Sequence, residues 1–265
     1  MNEIVGTHSI LFLTLDTLRH DVAASAFAEG TTPNLTKLVA EGWEERHTPG
    51  TFTWAAHQAF FAGFLPTPAA PGRHPRLFAA DFEGSETTTK NTFVFKETDI
   101  VSALRTLKYR TVCIGGVGFF NKRTALGNAM PSLFEESSWN ETFGVTDPES
   151  ARNQFSYAAQ WIREVKNDEK FFMFINVSAI HQPNYFYKAG EASDSLATHR
   201  SALEYVDSCL PILTDALALH GDTFCILCAD HGTAYGEEGY TGHRFSHPVV
   251  LTVPYAETIL KKRDE

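Results

Sequence analysis

Four apolar runs constrain this chain more than any other feature: "SILFLTLD" (9–16), "RTVCIGGV" (110–117), "FFMFINVS" (171–178) and "TFCILCAD" (223–230). They are rich in β-branched and aromatic residues and lack the alternation of a strand with one wet face. They therefore read as strands covered on both sides. A shorter run, "VVLTV" (249–253), is a candidate fifth strand. Between the runs lie segments of helical period at 32–42, 53–63, 98–109, 149–166 and 200–221. The first opens on Thr32-Pro33 and closes at Gly42, which is sound start and stop chemistry. Pro211 predicts either a kink in the last helix or its true beginning. Strands alternating with helices predict one α/β domain over 1–265, with a mostly parallel central sheet and helices on both faces. Stretches near 66–95 and 182–199 have the composition of long surface excursions.

Composition narrows the function. A formal charge of −10 argues against a nucleic-acid binder or a protein drawn to anionic membranes, both of which need a basic face. A small anionic substrate stays open, because a metal or local histidines can invert the field inside one cleft. No run reaches the roughly 20 apolar residues of a membrane span. The first run follows Glu3 rather than a basic segment, so a secretory signal is not expected. Cys225 and Cys228 form a CxxC, but inside a strand, where residues three apart face opposite ways. Buried core thiols and a cytoplasmic location are the expectation. The oligomeric state is left open.

In such sheets ligands bind beyond the carboxyl ends of the strands. The first run delivers Asp16 there, and the last long one delivers Asp230-His231-Gly232. Together they offer the O, O, N donor set of a divalent metal, Mn²⁺ or Zn²⁺ first. Fe²⁺ is the next candidate, and Ca²⁺ fits less well because imidazole disfavours an all-oxygen site. "GTFTWAAHQAFFAGFLP" (50–66) begins a helix with two threonines and carries His57 one turn on. Thr53 is a candidate fourth ligand whose hydroxyl a metal would activate. The plainer alternative is that Thr51 or Thr53 caps the helix.

These segments resemble the alkaline phosphatase/sulfatase superfamily, in its compact sulfatase-like branch. "ILFLTLDTLRHDVA" is similar to the opening strand-and-metal motif, and "TTPNLTKLVAEG" to the helix after it. "GTFTWAAHQAFFAGFLP" resembles the nucleophile segment, with Thr53 as nucleophile, His57 at its histidine, and Gly63 and Pro66 at the closing turn. "FFMFINVSAIHQPNYFY" resembles the strand ending in a substrate-facing histidine, His181. "TFCILCADHGTAYGEEGYTGH" is similar to the Asp-His-Gly element followed by a further histidine, His243, with His247 its competitor.

The resemblance implies a metal-dependent hydrolase or transferase acting through a covalent phospho-threonine. Asp16, Thr53, Asp230 and His231 would hold the metal, Thr53, His181 and His243 would do the chemistry, and His57, His181 and His243 would meet substrate. Sulfatases proper use a cysteine where Thr53 stands, and Ala55 replaces a proline, which favours phosphate over sulfate esters. Thr17 replaces the usual second acid, and Val177 stands where a second metal site would draw a carboxylate, so one tight metal is implied. A counterpart of the family's large C-terminal subdomain is not expected. A phosphoryl or phosphoethanolamine transferase or mutase is an alternative, as is a catalytically silent relative binding a phosphorylated ligand or partner.

Overall fold

The computed structural model describes residues 3–63 and 99–263, with the backbone of 78–79 and 93–94. The elements run β1 (Ser9–Leu15), α1 (His20–Ala28), α2 (Pro33–Leu38), β2 (Glu44–His47), α3 (Thr53–Ala62), β3 (Phe78–Ala79) and β4 (Phe93–Val94). Next come α4 (Ile100–Thr106), β5 (Arg110–Ile114), α5 (Ala125–Ala129), β6 (Glu136–Ser138), α6 (Ser150–Glu164) and β7 (Phe171–Val177). The chain continues through α7 (Leu196–His220), β8 (Thr223–Cys228), β9 (Ala234–Tyr235), β10 (Thr241–Gly242), α8 (Pro248–Leu251) and β11 (Thr252–Leu260).

Seven strands form one sheet in the order β2-β11-β8-β1-β7-β5-β6. The five from β8 to β6 pair in parallel, while β11 runs antiparallel to both β8 and β2. The central strands are apolar throughout because both faces are covered. Leu11, Leu13 and Leu15 of β1, with Phe171, Met173 and Ile175 of β7, join one core with α1, α2, α6 and α7. Ile10, Phe172 and Phe174 enter the other with Phe61 of α3 and Leu104 of α4. Cys225 lies in the first core, and Cys228, an odd number of residues further along β8, belongs to the opposite face. All four cysteines are free and buried.

Several expectations need correction. The fifth strand begins at Thr252, not 249, because Pro248 fixes a first helical turn that His247 caps through Nδ1. Pro211 lies inside α7 rather than beginning it. It cannot donate to the carbonyl of Asp207, and Asn34 Nδ2 covers that oxygen at 3.1 Å instead. Ser195 and Thr198 form the capping box that starts the helix at Leu196, ahead of the expected 200. The segment 182–199 is largely exposed or half-buried loop up to Ser195, anchored at Asn184 and His199, which are buried, and at Asp194 Oδ1, which accepts from the amides of Asn184 and Tyr185. Pro66 and nearly all of the 66–95 excursion lie outside the described residues.

Candidate active site

The register of β1 on β8 pairs Thr14 with Cys228, so two residues further on Asp16 and Asp230 leave the sheet side by side. The Asp16 amide still donates to Val177 O at 3.1 Å, which ties it to β7 as well. Asp230 Oδ1 accepts from the amides of Thr17 (3.2 Å) and His231 (3.0 Å). Thr17 adopts φ 64° there, in the left-handed region. After His231, a Cβ on Gly232 would lie 1.9 Å from Val249 O, so only glycine lets the two backbones meet.

The donor atoms of Asp16, Asp230 and His231 lie within 4.8 Å of one another, and all three residues are buried. Asp16 Oδ2 accepts from Asn176 Nδ2 at 2.9 Å. Asp16 Oδ1 and Asp230 Oδ2 are buried without a hydrogen-bond partner among the described residues. His231 Nδ1–H donates to Gly232 O at 2.8 Å, which leaves the Nε2 lone pair facing the acids, 3.5 Å from Asp230 Oδ2 and 3.9 Å from Asp16 Oδ1. Burial, and then the neighbouring Asp230 carboxylate, pushes the Asp16 carboxyl up to about 6. Burial pushes Asp230 up to about 7 and holds His231 below the usual imidazole range. Two orphaned carboxylate oxygens and one oriented imidazole lone pair are what a divalent cation accepts, so the residues fit such a group.

Thr53 is the first residue of α3, and the residue in the capping position is Phe52, so neither threonine caps the helix. The Thr53 hydroxyl sits 3.4 Å from Asp16 Oδ2 and 3.4 Å from His231 Nε2. It lies beside the unpaired amides of a helix start, a place that favours negative charge.

The histidines divide. His57 is fully buried behind Thr53, where Nδ1–H donates to Thr53 O at 2.7 Å and Nε2 accepts from the Thr14 hydroxyl at 3.1 Å. Phe60, Phe61, Phe120 and Phe174 surround its ring, and burial drives its pKa down to about 3. With both nitrogens engaged in the interior, it leaves the set of substrate contacts and is a packing residue. His181 and His243 stay near the acids: the His243 ring lies 4.4 Å from that of His231 and 5.5 Å from that of His181. Burial and the flanking histidines hold His243 near 3, hence neutral. His247 instead caps α8 and faces Glu238 at 3.7 Å, so His243 and not His247 joins the row.

Arg19 pairs with Asp21 at 2.6 Å, and also with Glu237. Lys122 donates to Ser137 O and Arg123 pairs with Glu141, so both belong to the solvated face.

Sequence reasoning passed over Asn176, His199 and Arg244. Asn176 steers Asp16, and its Oδ1 accepts from the Val117 amide at 3.0 Å. A buried amide inside the apolar run 171–178 was the available signal. His199 accepts from the Arg19 amide and meets the Tyr235 hydroxyl at 3.0 Å.

A family model described as Sulfatase matches residues 8–250. No curated protein matches the chain. Among solved structures, the C-terminal periplasmic domain of the phosphoethanolamine transferase EptC from Campylobacter jejuni is similar at 14% identity and TM-score 0.63, covering 97% of this chain and 81% of that one. The corresponding Escherichia coli domain, solved in complex with Zn, gives 11%, 0.66, 97% and 74%. An alkaline phosphatase superfamily protein from Vibrio parahaemolyticus gives 20%, 0.59, 98% and 62%. Among the described residues no helix is long and apolar enough to cross a membrane. Two of these neighbours are periplasmic domains, so the fold gives no ground for the cytoplasmic expectation.

Proposed function

This chain belongs to the sulfatase family, and on that premise we propose that it is a metal-dependent enzyme transferring phosphoryl groups from small anionic esters by way of Thr53. The observation that carries the reading is the Thr53 hydroxyl, 3.4 Å from both Asp16 and His231, among carboxylate oxygens that no donor satisfies. Asp16, Asp230, His231 and Thr53 would hold one divalent ion, Mn²⁺ or Zn²⁺ ahead of Fe²⁺ or Ca²⁺. Bound there, the ion would lower the pKa of the Thr53 hydroxyl and offset charge on the phosphoryl oxygens.

The protein's own residues supply the rest. Asn176 and the amides of Thr17 and His231 hold the two carboxylates in place. Thr53 Oγ1 gives up its proton to solvent and attacks phosphorus in line, and the bond between phosphorus and the leaving oxygen breaks. The leaving oxygen takes its proton from His181 or from water. The first-turn amides of α3 favour the negative charge that gathers beside them. His181 and His243 stand where the non-bridging oxygens arrive. Water then displaces threonine from phosphorus and restores the hydroxyl, the two-step course that a covalent nucleophile makes available. Threonine where sulfatases proper carry cysteine supports phosphate over sulfate esters.

A second reading replaces water with an acceptor alcohol, and it is favoured by the likeness to phosphoethanolamine transferase domains. Purified protein supplied with Mn²⁺ or Zn²⁺ is to be screened on nitrophenyl phosphate monoesters, diesters and sulfates, with and without added alcohols. Metal-dependent turnover of a phosphate ester, lost in Thr53→Ala at unchanged metal content, is the expected result. Full activity of Thr53→Ala would overturn the nucleophile. Metal binding without turnover of any ester would leave a silent relative.

A further inference from the structure

Arg244 follows His243 in a short loop whose backbone is bent on both sides of the histidine, with φ 81° at Gly242 and 80° at Arg244. A left-handed conformation at a non-glycine residue is costly and persists where the surroundings hold it. Here they do. The Arg244 amide donates to Thr51 O at 2.9 Å, and its guanidinium carbon stands 5.5 Å over the ring of Phe52. Phe52 leans in turn on Phe119, and Phe119 on Trp54, with ring centroids 6.2 and 5.9 Å apart. Backbone and side chain of Arg244 are thus tied to the two residues that precede Thr53.

Its charge is also unspent. Arg19, Arg110, Arg123, Arg152 and Arg200 each pair with a carboxylate. Arg244 has no carboxylate within ion-pair distance among the described residues. It lies near enough to His231 and His243 to disfavour their protonated forms. In a chain of net charge −10, an exposed guanidinium that no described carboxylate pairs, beside His243 and over Phe52, suits one counterpart. That counterpart is an anion entering from solvent. The two acids would be balanced by a divalent ion, so Arg244 supplies the surplus positive charge.

We propose that Arg244 anchors the substrate's anionic group, its guanidinium donating to a non-bridging oxygen of the ester presented to Thr53. This rests on the phosphoryl-transfer reading above. Arginine suits the task because it donates through a planar fork and stays charged at every working pH.

Inorganic phosphate is the probe. Its affinity for metal-loaded protein is to be measured calorimetrically for wild type, Arg244→Gln, Arg244→Lys and Arg123→Gln, with metal content checked in each. Arg244→Gln is expected to weaken phosphate at least ~10-fold, as loss of one charged hydrogen bond does. Arg244→Lys falls between, and Arg123→Gln matches wild type. On any turned-over ester, Arg244→Gln raises KM more than it lowers kcat. Equal phosphate affinity in wild type and Arg244→Gln overturns the role of Arg244 and leaves the phosphoryl-transfer reading standing. Wild type that holds metal but no phosphate overturns both.

Discussion

Replacing Asp230 with asparagine inverts the usual expectation for a buried site residue. In the metal-free protein the Asp230 carboxyl is pushed from an ordinary 3.8 up to about 7 by burial. With its folded value above its unfolded one, the group destabilises the metal-free fold as pH rises. The penalty is absent below about pH 4 and complete above about pH 7. A rise of about three units corresponds to about 4 kcal/mol at pH 8. The asparagine side chain keeps an oxygen to accept from the amides of Thr17 and His231, and its NH₂ replaces the oxygen that no group satisfies. Allowing for imperfect replacement, Asp230→Asn gains about 2–4 kcal/mol in chelator, or roughly 5–10 °C in Tm for a chain of this size. Added Mn²⁺ or Zn²⁺ at a hundredfold excess over its dissociation constant raises wild type by about 2.7 kcal/mol and leaves the variant unmoved. Thermal unfolding at pH 8, with chelator and with metal, reads both effects. A variant that melts below wild type in chelator, or that still responds to metal, refutes the reasoning.

Asn176→Leu removes the donor to Asp16 Oδ2 and the acceptor of the Val117 amide; metal affinity is expected to fall about 10- to 100-fold by titration, as for other groups that orient a ligand. The pH dependence of stability should differ with and without metal. Burial holds His57 and His199 near 3, below their ordinary 6.5, so their contribution is full above pH 6.5 and falls by about 1.4 kcal/mol per pH unit per histidine below it. In chelator Asp16 and Asp230 oppose this between about pH 4 and 6, because both take up protons in the fold. His243, also held near 3, adds to the histidine side, so urea denaturation should give a shallower rise with pH there without metal than with it, and equal slopes would exclude this balance.

The sheet was legible where physics writes it into adjacent residues. Continuous apolar runs marked β1, β5, β7 and β8 because alternate side chains enter two cores. The same logic hid β2, whose "EERH" is an exposed, charged edge strand, and caught only the first residues of β11, whose half-buried pattern runs on to Leu260. Helix α1 escaped notice because "HDVAASAFA" is built largely of small residues and buries only Val22, Ala23 and Ala26. Asp16, Asp230 and His231 were readable as strand-end acids and a neighbour. Arg244 and His199 were not, since each acquires its meaning from partners far away in sequence, Thr51 and Phe52 for one, Arg19 and Tyr235 for the other.

The position of β1 carries a consequence for synthesis. This first strand ends up in the middle of the sheet, and its two neighbours are β7 and β8. More than 150 residues separate it from β7, so at 5–20 residues per second a ribosome needs roughly 8–30 s to deliver the first strand that can cover it. Throughout that interval a sticky heptapeptide hangs exposed on the nascent chain. The yield of folded protein should therefore track the tempo of translation.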